Sequence, residues 1–330
     1  MTEEHNPADI QSLHGRTIVV TGGNAGLGYF ASEQLAAAGA HVVIAARNPA
    51  KAAAAAAAIT ARIPEARISC QPLDLASLDS VRETVASLAR LDRIDALLAN
   101  AGVIGSPTRR DTADGFELQF GTNHLGHYAL ICGLLPELER RRARIVHVGS
   151  ISHRWVRTDF RSAAHPERYS SYRQYALSKL AVMSFGFELA RLLELSGSGV
   201  SSVVAHPGYA RSMFTPSRPG VEGRPHPGRV QQLLARPLAQ GKDDGARPLV
   251  RAVGGPDVCS EDYWGPDGFL QLTGRPARVR PRRHALERKC GVPPHRSFAR
   301  PDRGPAPAIG GAAPAVLPGG PLPAHCRTRR

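Results

Sequence analysis

Six short runs of apolar, largely β-branched residues recur along the first two-thirds of this chain: Thr17–Val20, Val42–Ala45, Arg67–Gln71, Ala96–Ala99, Arg144–Val148 and Val200–Ala205. Helix-length stretches separate them, at Leu27–Ala38, Ala50–Arg62, Leu78–Leu91, Leu125–Arg141 and Tyr175–Leu195. Strands so uniformly apolar have no solvent-facing side, so they belong in a parallel sheet covered by helices on both faces. Right-handed crossovers then give a three-layer, doubly wound α/β domain whose ligands sit at the carboxyl ends of the strands. The expected organisation is a polar arm at 1–13, one domain at 14–275, and a tail at 276–330.

The first strand runs into Thr21-Gly22-Gly23-Asn24-Ala25-Gly26-Leu27-Gly28 and then into a helix. Unpaired N–H groups at a helix start attract the pyrophosphate of a dinucleotide, and glycines let the backbone approach it. The spacing is T-G-x-x-x-G-x-G; a turn of this kind between strand one and helix one is seldom without a nucleotide. The second strand ends in Ala46-Arg47, a cation with no acidic neighbour. A ribose 2′-phosphate requires a cation here and a 2′-hydroxyl an acid, so the expectation is NADP(H) in preference to NAD(H). A solvated arginine at a strand end is the plain alternative.

Tyr175 and Lys179 stand four apart on one helix face. By itself Y-x-x-x-K is usually a surface pair. Here Ser150 follows the Arg144–Val148 strand and Asn123 lies at the start of the preceding helix, both at the carboxyl edge of the expected sheet.

With these residues in order, the chain resembles the short-chain dehydrogenase/reductase family over about residues 13–275, which implies a Rossmann fold. Ala99-Asn100-Ala101-Gly102 is similar to the family's N-N-A-G segment, with Ala99 in place of the first Asn, and Gly149 replaces a common serine. Asn123-His124-Leu125-Gly126-His127 and Ser150-Ile151-Ser152-His153 resemble the retinol dehydrogenase and WW-domain oxidoreductase branch. The resemblance implies that Asn123, Ser150, Tyr175 and Lys179 form a catalytic tetrad. It further implies that Thr21, Gly22, Asn24, Gly26, Leu27, Gly28, Arg47, Asp74, Leu75, Asn100, Ala101, Gly102, Tyr175, Lys179, Pro207, Gly208 and Ser212 contact the cofactor. Within it, Asp74 and Leu75 meet the adenine, Pro207-Gly208 forms the nicotinamide-side turn, and Ser212 stands where a threonine usually meets the carboxamide. Tyr175 exchanges a proton with a carbonyl/alcohol substrate as hydride moves to or from the nicotinamide. A free tyrosine ionises near pH 10, so the Lys179 charge is expected to lower that value. Ser150 holds the substrate oxygen, and Asn123 a water in a relay to Lys179. Trp155–Ser171, Tyr209–Gly228 and the stretch near Tyr263–Phe269 are the expected substrate walls. The alternative is a dinucleotide-sensing protein that kept the fold without the chemistry.

The net charge of +14 suggests nucleic acid at first sight, but the residues from Pro276 onward hold most of it: twelve Lys/Arg against Glu287 and Asp302. With eleven prolines and Phe298 as the sole aromatic, that stretch lacks the apolar surface to offset ordering and is expected to be disordered. Beyond about Val279 it reads like a frameshift product outside the working fold. No aromatic interleaving accompanies its arginines, so no specific nucleic-acid partner is expected. Five scattered cysteines without a C-x-x-C pair suggest neither a disulfide framework nor zinc, and fit a reducing cytoplasm. His124 and His127 lack a third ligand at metal spacing, so packing or capping is the expected role and no metal is assigned. Met1–His14 has no signal-peptide pattern and no run is long enough to span a bilayer, so a cytoplasmic protein is expected. Its partners would be a small carbonyl/alcohol substrate and, as an open option, a second copy of itself.

Overall fold

The computed structural model describes residues 10–105, 107–156, 160, 163–221 and 238–286. These build β1 (Thr17–Thr21), β2 (His41–Ala46), β3 (Arg67–Pro72), β4 (Ala96–Ala99), β5 (Arg144–Val148), β6 (Ser201–Ala205), β7 (Tyr263–Pro266) and β8 (Pro276–Arg278). The strands form one sheet in the order β3-β2-β1-β4-β5-β6-β7-β8, parallel throughout except for the antiparallel β7–β8 pair. The order reverses between β1 and β4, which opens a crevice beyond their carboxyl ends.

Helices α1 (Gly26–Ala37), α2 (Pro49–Arg62), α3 (Leu78–Leu88), the single turn α4 (Leu118–Phe120), α5 (Gly126–Arg140), α6 (Ser171–Leu195) and α7 (Lys242–Gly254) cover both faces. The period-2 alternation of the strands divides the core. Ile18, Val20, Ile44, Leu98 and Val146 pack with Leu35 of α1, Ile59 of α2 and Leu249 of α7. Val19, Val43, Leu97 and Ile145 face the other way, onto Val81 of α3, Leu134 of α5 and Leu189 of α6. Caps fix where several helices begin: Asn48 accepts from Lys51 N at 3.0 Å ahead of Pro49, and Ser77 accepts from Ser80 N at 3.3 Å. The end of α7 is held by Arg144 from β5. Its Nη1 donates to the carbonyls of Ala252, Val253 and Gly255 at 3.2, 2.9 and 3.1 Å, and its Nη2 donates to Val258 O at 3.1 Å.

The expected strands and helices are present with ends shifted by a few residues, and α6 begins at Ser171 rather than Tyr175. Arg229–Leu234, which the sequence pattern reads as a short helix, lies outside the described residues.

Two expectations require correction. The domain does not stop at 275. Pro276–Arg278 adds an edge strand to β7, and Arg283–Leu286 forms a turn whose Ala285 is fully buried against Leu180, Met183 and Tyr263. Arg278 sits at the exposed edge, where it lies over the Trp264 ring, 5.6 Å from its centroid, and pairs with Asp262 at 3.1 Å. The remainder of the expected tail lies outside the described residues. Second, Cys70 and Cys132 are free thiols but Cys259 is disulfide-bonded, so the cysteines are not all unpaired. Among the described residues no helix is long and apolar enough to cross a membrane.

Candidate active site

The glycine turn sits at the point where the strand order reverses. Gly22 has φ of +66° and Gly26 +57°, left-handed values that favour glycine. At Gly28 the constraint is space: a Cβ there would lie 2.3 Å from Gly22 O and 2.5 Å from Asn100 Nδ2. No side chain caps α1 and no acid stands in its first turn, so its positive end faces the crevice without a competing anion. Lys242 Nζ adds a cation beside the turn, 3.5 Å from where a Gly26 Cβ would be. Asn24 is half-buried in the same turn. Beneath it, Asn100 Nδ2 donates to Thr21 O at 2.8 Å, and the amides of Asn100 and Ala101 both donate to Thr21 Oγ1 at 2.9 Å. Ala99, which replaces the family's usual Asn, is a buried β4 residue. These contacts lock the end of β1 to the end of β4.

On the other side of the crevice, a cavity of about 700 Å³ brings together Ser150, Tyr175, Lys179, Asn100, Gly102, Leu27, Pro207 and Gly208. Ser150 and Tyr175 stand together in that lining. Burial raises the Tyr175 pKa and the neighbouring Ser150 side chain opposes that rise; the expected lowering by Lys179 is not among the effects acting on it here. Lys179 Nζ donates to Val148 O at 2.9 Å, and burial lowers its pKa to about 8. Gly102 leaves room between the partners: a Cβ on it would lie 3.2 Å from Asn123 Oδ1 and 3.6 Å from Lys179 Nζ. Gly149 leaves its room to Met183, whose Cγ would be 2.7 Å from a Cβ there.

Asn123 lies behind this cavity, in a π-helical turn (Gly121–Leu125) between α4 and α5. Its Nδ2 donates to Val103 O and Ser178 Oγ, both at 3.0 Å, and its Oδ1 accepts from Val103 N at 2.7 Å. The side chain therefore clamps the chain after β4 to α6. Arg47 is exposed just past β2. Asp74 Oδ1 caps the turn after β3 by accepting from Ala76 N at 2.9 Å, and Leu75 is buried beside it. Arg47, Asp74, Leu75 and Ser212 stand apart from the cavity lining.

Of the expected substrate walls, Trp155, Tyr209 and Ala210 line the cavity. Tyr263–Pro266 does not, being the buried strand β7; the loop after it contributes Leu270 and Leu272 instead. Sequence reasoning missed Val103, Ile104, Tyr172 and Arg154 in the lining. Arg154 donates to Leu270 O at 3.1 Å and to Gln271 Oε1 at 2.5 Å, holding two consecutive residues at positive φ (50° and 60°). It also missed His153, whose Nδ1 donates to Ser150 O at 2.6 Å, and which burial keeps neutral by lowering its pKa to about 4. A histidine three residues after the serine is the signal that could have found it. The loop after Gly208 is pinned to α1 by Arg218, which pairs with the buried Glu33 at 2.8 Å.

The glycine cradle, the open helix end and the adjoining cavity fit a dinucleotide with its reactive ring beside Tyr175. Comparison with known proteins agrees with this fold. Human retinol dehydrogenase 13 is 39% identical over 204 residues, which cover 61% of each chain. The match thus spans less than two-thirds of that relative's length. Mouse polyprenol dehydrogenase is 36% identical over 265 residues, 77% of this chain and 76% of its own. The solved structure of an uncharacterised protein from Mycobacterium paratuberculosis superposes with a TM-score of 0.68 at 33% identity, over 86% of this chain and 91% of that one. The family model described as short chain dehydrogenase matches residues 16–220, and the chain belongs to that family, on its retinol dehydrogenase-like branch.

Proposed function

We propose that the chain is an NADP(H)-dependent oxidoreductase that interconverts an apolar alcohol and its carbonyl compound. The observation that carries this reading is that Ser150, Tyr175 and the buried Lys179 line one cavity beside the glycine turn. When bound, the nicotinamide supplies or accepts the hydride. Tyr175, kept protonated by burial, donates its proton to the carbonyl oxygen in reduction and takes one back in the reverse direction. Ser150, held from behind by His153, hydrogen-bonds the same oxygen. Lys179 would hold the ribose hydroxyls of the cofactor, and Asn123 would support a water relay to it. Thr21, Gly22, Asn24, Gly26, Leu27 and Gly28 receive the pyrophosphate, Asp74 and Leu75 the adenine, Asn100–Gly102 the ribose, and Pro207, Gly208 and Ser212 the nicotinamide amide.

The names of the relatives, retinol and polyprenol dehydrogenases, support a lipophilic alcohol. So do Ile104, Trp155, Leu238, Leu270 and Leu272 along the cavity. Arg47, exposed and without a hydrogen-bond partner among the described residues, is the group assigned to the 2′-phosphate. Titration with NADPH and NADH tests this: NADPH should bind the more tightly, and Arg47→Asp should cost about 1.5–3 kcal/mol of NADPH affinity, the value of one charged hydrogen bond. Equal affinities in the unaltered chain would refute the assignment.

A further inference from the structure

We propose that His127 is a positioning residue: its neutral imidazole bridges Thr21 and Asn123, holding the glycine turn and the Asn123 turn in one frame. The proposal rests on the reading that these two elements serve a bound dinucleotide. His127 is 4% exposed, with Nε2 2.9 Å from Thr21 Oγ1 and Nδ1 2.9 Å from Asn123 O.

The hydrogen-bond pattern fixes its tautomer. Thr21 Oγ1 already accepts from the amides of Asn100 and Ala101, which occupies both of its lone pairs. Its own proton can go to His127 Nε2 at 2.9 Å or to Leu98 O at 3.4 Å, and the shorter, better contact is the histidine. Nε2 is then the acceptor, and the ring proton sits on Nδ1. That is the form the Asn123 carbonyl demands, since a bare Nδ1 would set two lone pairs against each other at 2.9 Å. Burial lowers the His127 pKa to about 4, which removes the doubly protonated form near neutral pH.

The neighbouring His124 offers a contrast on the same helical turn. It is equally buried, but it packs among the rings of Phe120, Tyr128 and Phe185, and its Nδ1 has no partner. The location of the bridge matters because the Asn123 turn is π-helical: Gly126 N–H reaches back five residues to Gly121 O. Such a turn offsets the backbone and requires outside support to keep its register. His127 supplies that support from β1, so the groups on either side of the crevice are set by one side chain.

Two substitutions divide the bridge. An asparagine amide occupies roughly the place of Nδ1 and a glutamine amide that of Nε2. His127→Asn should keep kcat within about threefold while weakening NADPH binding roughly tenfold, the effect of one hydrogen bond. His127→Gln should do the reverse, and His127→Leu should lose both. Nitrogen-15 NMR of the histidine-labelled chain, with His127→Gln to assign the signal, should show a neutral Nδ1–H ring from pH 5 to 9. An Nε2–H ring, or three variants with equal losses that follow their melting temperatures, would overturn the proposal. If the unaltered chain binds NADPH yet turns over no alcohol or carbonyl, the proposed activity fails, while the tautomer and the NADPH affinities still decide the role of His127.

Discussion

Lys179 should make the protein less stable than it could be, and replacing it with methionine measures by how much. The side chain is 6% exposed and pairs with no carboxylate among the described residues; its hydrogen bond is to the Val148 carbonyl at 2.9 Å. A solvated lysine amine ionises near 10.5 and this one near 8, so holding it charged in the folded chain at pH 7 costs about 3 kcal/mol. Lys179→Met removes that cost and leaves the Val148 carbonyl short of a donor, a loss of about 1–2 kcal/mol. The net gain is about 1–2 kcal/mol, which for a domain of this size raises Tm by roughly 2–8 °C. The pH dependence has a definite sign. As pH rises from 8 to 10.5 the folded chain has already released this proton and the unfolded chain has not, so the original chain gains stability there and the variant does not. The advantage of Lys179→Met should be complete below pH 8, shrink by about 1.4 kcal/mol per pH unit through that window, and reverse within it near pH 9. Thermal melts without cofactor at pH 7 and 9.5 read this directly, with turnover lost at both. A variant that melts at or below the original chain at pH 7 would refute the reasoning.

Arg144→Met should cost at least about 3 kcal/mol, because the carbonyls of Ala252, Val253, Gly255 and Val258 lose their shared donor in a buried site; urea denaturation measures it. Lysine at the same position should recover only part of the loss, since a single ammonium cannot span four carbonyls. A chain ending at residue 279 should melt lower than one ending at 286, by the value of burying Ala285 and of the bonds from Ser184 Oγ to Ala285 O and between His284 and His153 O. Equal melting temperatures would return Arg283–Leu286 to the tail.

The sheet was legible wherever a strand is buried on both faces, because Thr17–Thr21, Ala96–Ala99 and Ser201–Ala205 carry no charged residue and only small hydroxyl side chains among their apolar positions. β7 was not, since Tyr-Trp-Gly-Pro resembles a turn; it forms a strand because β6 offers it an edge and the Gly265 backbone lies directly against the His206 ring. β8 was hidden for a different reason. Composition argued against order beyond Pro276, yet Asp262, just ahead of β7, and Trp264 within it pair with the Arg278 guanidinium. That Ser150, Tyr175 and Lys179 would meet in one cavity could be read from spacing, because Tyr175 and Lys179 lie on one helix and Ser150 closely follows one strand. Their supports could not. His127, His153 and Arg154 act through carbonyl groups of residues brought together by the fold, and a carbonyl leaves no mark on sequence.

The account turns on Tyr175 as the proton donor. The decisive measurement is NADPH oxidation with a panel of lipophilic aldehydes and ketones, run alongside NADPH titration, for the original chain and for Tyr175→Phe. Removing one hydroxyl should leave the NADPH dissociation constant nearly unchanged and lower turnover by about 10²–10⁴, the range of a lost acid–base catalyst. A variant that keeps most of its turnover on a substrate of the original chain would contradict the account.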